Sequence, residues 1–234
     1  MKKYFALALT VALCAIVTLT TVSPVNAQGA GLVSSIFNKM ERNRRDLRSL
    51  RAGISMEKYN AQIRDTDKRT GTVLYLPAGG RNAYVRVDWK SPVQEILAVA
   101  DGQYTFFSPR RKTAWVGSSS SRSSNTKVSS VLGFGLNASA AQLKSSFDVQ
   151  ENPYNETLWG GVATTHLKLV PKGGASFQYQ EIWVDGSGMP VQTKVVEKNG
   201  DATTVRLMNV EKNAQINKDD FKLELGSDVK KLRG

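Results

Sequence analysis

The sequence predicts an α+β protein: one antiparallel sheet of about eleven strands that curls on itself, with a helix before it and short helices inserted mid-chain between its two halves. Three observations carry that prediction. Apolar residues recur at helical spacing near the start of the chain, between residues 32 and 50. Turn signals then punctuate short runs rich in Val, Tyr, Trp and Ile, before and after the middle of the chain. A serine-rich stretch followed by apolar residues three or four apart interrupts the strands between those two halves.

The chain opens with Lys2 and Lys3, an apolar run from Phe5 to about Leu19, and Val25-Asn26-Ala27. Basic, apolar and small residues in that order make a secretory leader, with cleavage expected before Gln28. The apolar run is near the lower length for a membrane span, but Thr18, Thr20, Thr21 and Pro24 interrupt its end. Cys14, the only cysteine, lies inside this segment and follows Ala12-Leu13 rather than the small residue a lipid-attachment site needs. The expected mature chain, residues 28–234, therefore has no disulfide, thiol nucleophile or cysteine metal site. The formal charge of +12 becomes +10 when Lys2 and Lys3 leave. A basic exported protein is drawn to anionic lipid or an acidic partner. Export argues against nucleic acid, and no zinc-finger or aromatic RNA-reading motif is present.

In residues 32–50, Leu32, Val33, Ile36, Phe37, Met40, Leu47 and Leu50 form an apolar stripe between Arg42, Arg44, Arg45 and Arg48. Such a charge run is a solvated face or a contact to anionic lipid. Turn signals follow at residues 65–69, 77–80, Ser91-Pro92, Asp101-Gly102 and Ser108-Pro109. Between them, 72–76, 83–89 and 96–100 read as strands joined by hairpins. Residues 117–127, GSSSSRSSNTK, cannot bury a core and read as a mobile loop. Val128, Leu132, Leu136, Ala140, Leu143 and Phe147 then share one helical face, with Gly133 and Gly135 splitting it into two short helices. The remaining segments, 161–170, 176–185, 189–197, 202–210 and 221–225, read as strands, with Asp185-Gly186 and Asn199-Gly200 marking tight hairpins.

Nothing in this pattern points to catalysis. His166 is the only histidine, placed in a strand where it serves as a hydrogen-bonding surface or core residue. The carboxylates lack metal-ligand spacing. Ser118 to Ser121 have no Gly-x-Ser-x-Gly turn, and the glycines at 133–135 lack the following Gly-Lys of a phosphate-binding loop. The expectation is a non-enzyme with no metal and no cofactor.

One stretch is more specific. An apolar strand ending in Trp89 leads to Ser91-Pro92 and then ILAVADGQYTFFSP, residues 96–109. Later come LKLVPK, FQYQEIWVDGSGMP and NVEKNAQINKDDFKLEL. In that order these segments resemble the bacterial periplasmic lipoprotein carriers, the LolA/LolB-like superfamily, over nearly all of residues 28–234. The resemblance implies a half-open barrel under a helical lid and a monomeric periplasmic carrier of acylated lipoproteins, served by an inner-membrane ABC transporter and an outer-membrane acceptor. Free lipids or glycolipids as cargo, or a lipoprotein-sensing interaction domain, are the alternatives.

A carrier of acyl chains needs no nucleophile. It needs an apolar concave surface, on which each buried methylene is worth about 0.8 kcal/mol. The expected lining is Leu74, Leu76, Val85, Val87, Trp89, Ile96, Leu97, Tyr104, Phe106, Trp115, Leu167, Leu169, Trp183 and Val195, with Val128, Leu132, Phe134 and Leu136 from the lid. Because strand residues alternate between faces, about half of the strand positions should point elsewhere. The family's lid is held partly by an arginine near the start of a strand preceding the proline. Counting back from Pro92 places Arg81 there, while YVRVDW makes Arg86 the competitor.

Overall fold

The computed structural model describes residues 25–78, 83–119 and 138–233. Helix α1 (Val25–Asp46) leads into β1 (Leu50–Asn60), β2 (Asp65–Pro77), β3 (Ala83–Ser91), β4 (Glu95–Ala100), β5 (Gln103–Ser108) and β6 (Thr113–Ser118). Helix α2 (Ala140–Ser146) precedes β7 (Phe147–Leu158), β8 (Val162–Pro171), β9 (Phe177–Asp185), β10 (Pro190–Glu197), β11 (Ala202–Lys212) and β12 (Lys230–Arg233). The twelve strands among the described residues form one sheet in the order β12-β6-β5-β4-β3-β2-β1-β11-β10-β9-β8-β7. The first and last strands of that order do not pair, so the curved sheet stays open, a half-open barrel of α+β class. Every neighbouring pair is antiparallel except β12, which lies parallel to β6.

The two halves of the chain meet at β1 and β11 in the middle of the sheet. Helix α1 lies on one face, here called inner. Its Ile36, Phe37 and Met40 pack on Leu167, Leu169, Ile182 and Val184 of β8 and β9, with Leu143 of α2 in the same cluster. The helix is seated closely: a Cβ on Gly188, in the β9–β10 turn, would lie 2.3 Å from the carbonyl oxygen of Lys39. The positive φ of Gly188, 86°, also suits only glycine.

Several elements differ from the sequence reading. The helix stops at Asp46, and Leu50, placed on its apolar stripe, instead opens β1, where it faces Tyr75. The β2 strand begins at Asp65, so the polar run read as a turn is strand, and the turn comes earlier, at residues 61–64. Phe147 is not helical. A capping box between Ser139 and Gln142 starts α2, and from Phe147 the period changes to two, as Phe147 and Val149 face Pro171 and Leu169. Residues 221–225 form no strand. A 3-10 turn, Lys218–Phe221, buries the Phe221 ring 5.6 Å from that of Tyr84, because the outer face of β3 offers an apolar site that isolated pairing would not.

Candidate functional site

Antiparallel register places side chains directly opposite one another on the same face. Across β3 to β6 this gives two apolar rungs on the inner face: Val85, Val99 and Tyr104, then Val87, Leu97, Phe106 and Trp115. Tyr75 and Val73 extend those rungs onto β2, and Leu50 and Ala52 onto β1. The surface continues through Ile54, Met56, Val205 and Leu207 to the half covered by α1. Most of it is buried, while Phe106 and Trp115 are half-buried with ring centroids 5.8 Å apart. Gly71 allows β2 and β3 to approach here, since a Cβ there would lie 2.2 Å from the Asp88 carbonyl oxygen.

The predicted lining divides accordingly. Val85, Val87, Trp89, Leu97, Tyr104, Phe106 and Trp115 come together on the inner face. Val195, half-buried, shares that face, opposite Gln180 and Thr203. Leu167 and Leu169 lie on it too, but beneath α1 as core. Leu74, Leu76 and Ile96 do not join them, for they share the outer face with Arg86, Tyr84 and Asp88. Trp183 alternates with Ile182 and Val184 and stands opposite His166, stacked on it at 4.2 Å with its indole N–H donating to Glu156 at 2.8 Å, and it is buried in the same core cluster as Leu158 and Val191. Val128, Leu132, Phe134, Leu136 and Arg81 lie outside the described residues. Arg86 faces away from the inner surface. Its guanidinium pairs with Asp88 at 3.0 Å and donates to the Asp220 carbonyl at 2.9 Å, strapping the C-terminal segment onto the sheet.

His166 sits in this aromatic cluster, with Tyr154 edge-on to it at 4.7 Å and its ring nitrogen hydrogen-bonded to the Tyr154 hydroxyl. Glu156 and Glu181 approach it at 3.5 and 3.7 Å. Among the described residues no group of three or more His, Cys, Asp or Glu side chains is arranged to hold a metal ion.

Two polar clusters accompany the apolar surface. Glu41 of α1 accepts Arg44 at 2.7 and 3.1 Å, Arg45 at 2.9 Å and the backbone N–H of Ala140 at 3.2 Å. The Arg44 hydrogen bond, aided by Arg45 and that N–H against the cost of burial, lowers the carboxyl pKa to about 2. Glu41 thus ties the described part of the mid-chain insertion to the first helix. Beside Trp89 at the end of β3, Glu95 accepts Arg69 at 2.8 Å and Arg111 at 3.3 Å. An i, i+3 or i, i+4 Glu-Arg spacing signals the first cluster; nothing local signals the second, because its members come from three separate segments.

A curled, unclosed antiparallel sheet with an apolar inner face and a helix lying on part of it defines the class of half-open barrels. Within that class the chain belongs to the family described as outer membrane lipoprotein carrier protein LolA, whose model matches residues 57–224. Among solved structures, MucB is 14% identical with a TM-score of 0.55, the match covering 86% of this chain and 65% of that one. An uncharacterized conserved protein from Thermus thermophilus is 11% identical with a TM-score of 0.54, covering 87% of this chain and 99% of that one. The Mycobacterium tuberculosis lipoprotein LppX is 13% identical with a TM-score of 0.48, covering 81% and 99%. At these identities the likeness to MucB and to the Thermus thermophilus protein is one of fold. No curated protein matches the chain.

Proposed function

We propose that this protein is an exported, periplasmic carrier that binds the acyl chains of lipoproteins on its apolar inner face and moves them from inner to outer membrane. The observation that carries the reading is the pair of uninterrupted apolar rungs across β3 to β6, in a chain of the lipoprotein-carrier family. Binding there is non-directional burial, at about 25 cal/mol for each Å² of apolar surface removed from water. Because the rungs are already buried against their neighbours, cargo must displace existing contacts. Net affinity is the difference between two apolar burials, which permits release as well as uptake. On this reading the inner face holds cargo without chemistry. An inner-membrane transporter and an outer-membrane acceptor complete the route, with contact to anionic lipid through the basic side of α1.

The test is a native mass spectrum of the protein isolated from its own cell envelope, followed by organic extraction of what co-purifies. A bound triacylated protein supports lipoprotein carriage. Free lipid or glycolipid alone would replace that cargo, and an empty protein held by a stable protein partner would favour a sensing domain of the same fold.

A further inference from the structure

The apolar rungs end in a charged one. Trp89 stands opposite Glu95, and Ser108 opposite Thr113, on the same inner face. Glu95 is a carboxylate with only 9% of its side chain exposed, held between Arg69 at 2.8 Å and Arg111 at 3.3 Å. Arg69 arrives from the inner face of β2, opposite Met56. Arg111 comes from the β5–β6 turn, donates to the Ser108 hydroxyl at 3.1 Å and lies over the Trp115 ring at 5.0 Å. Trp115 belongs to the neighbouring apolar rung. The cluster and the apolar surface are therefore continuous, joined through one indole.

Two guanidinium groups share one carboxylate, which leaves a surplus positive charge at the end of the apolar surface. Each guanidinium has five N–H donors. Arg69 spends one of them on Glu95, and Arg111 spends one on Glu95 and one on Ser108. With 40% and 57% of their side chains exposed, both can present their remaining donors to a ligand. Glu95 holds the pair in place, and a planar fork of donors matches a phosphate or carboxylate.

We propose that Arg69, Glu95 and Arg111 form a headgroup site for the anionic phosphate or carboxylate of an amphiphile whose acyl chains lie along the inner face. This rests on the reading that acyl chains lie on the inner face, and it names a second cargo for that face: tails supply affinity, and the charged rung favours an anionic lipid over an uncharged acyl anchor.

The test compares binding of a phosphatidylglycerol, a neutral diacylglycerol with the same chains, and inorganic phosphate, each measured by displacement of a neutral acyl fluorophore or directly by calorimetry. The anionic lipid should bind about tenfold more tightly than the neutral one, and phosphate alone far more weakly than either. Arg111→Gln should bring the two lipids to equal affinity by weakening only the anionic one, and Arg111→Lys should restore part of the difference. Equal binding of both lipids to the native protein, or an equal loss of both in Arg111→Gln, would overturn the headgroup site and leave carriage standing. Phosphate binding as tight as the lipid would also overturn it, by showing an anion site uncoupled from the apolar face. If neither lipid binds, the headgroup site falls, while lipoprotein carriage stands or falls with the native mass spectrum.

Discussion

Replacing Glu41 by Gln keeps the shape of the side chain and removes its charge. In the native protein that carboxylate accepts four hydrogen bonds, three from Arg44 and Arg45 of its own helix and one from the Ala140 N–H of the inserted segment. Its pKa falls from the usual 4.5 to about 2. Unscreened, that difference is equivalent to about 3 kcal/mol of folding stability. Arg45 is 72% and Arg44 33% exposed, so solvent screening reduces the expected value to about 1–2 kcal/mol. Since the folded-state pKa is depressed, the stabilisation is fully present above 4.5 and disappears as pH falls from there through about 2. Urea denaturation of the native protein and Glu41→Gln should show that gap at neutral pH and its closure over the acid range. Hydrogen exchange at Ala140 should accelerate in the variant, because its acceptor is weakened. Equal stability at neutral pH, or a gap that persists unchanged on acidification, would refute the argument that this charge ties the two helical segments together.

Phe221→Ala should cost about 3–5 kcal/mol, since the ring is buried against the outer face of β3; calorimetry would register it as a drop of roughly 10 °C in Tm. Gly188→Ala meets both a positive φ and the Lys39 carbonyl, so a loss of about 3 kcal/mol is expected, with α1 amides losing protection first. Arg42 and Arg48 are exposed and have no carboxylate within ion-pair distance among the described residues. Replacing both by Gln should weaken co-sedimentation with anionic liposomes, and raising salt should do the same to the native protein; binding indifferent to salt would exclude electrostatic docking.

Local pattern was a good guide wherever one element's own neighbours decided its structure. The hairpins around Asp101-Gly102 and Asn199-Gly200 depend on residues adjacent in sequence, and their strands appear where turn chemistry and alternation place them. Prediction failed where a distant surface decided. Phe221 and Leu225 alternate as a strand would, yet the apolar hollow beside Tyr84 drew Phe221 into a 3-10 turn. Phe147 keeps helical spacing with Leu143, but pairing with Pro171 on β8 made it the first residue of β7.

The candidate site was legible to the same extent. Val85, Val87 and Trp89 alternate within one strand, so their shared face follows from period two. Whether Ile96 or Leu97 joins them depends on register between strands, which a run such as ILAVA, apolar on both faces, does not encode. The surroundings of Trp183 were hidden for a related reason: its indole meets His166 and Glu156, partners contributed by two other strands.

By itself the sequence determined the class of fold, the order of helix, strands and insertion, and the apolar character of the segment ending at Trp89. Those properties rest on periodicity, turn residues and composition, all short-range. Only the tertiary structure decided which apolar residues share the inner face, which lie under α1, and that Arg69, Glu95 and Arg111 meet at the end of it. Register, sheet curvature and the seating of α1 bring together residues far apart in the chain, and no local pattern records such an encounter.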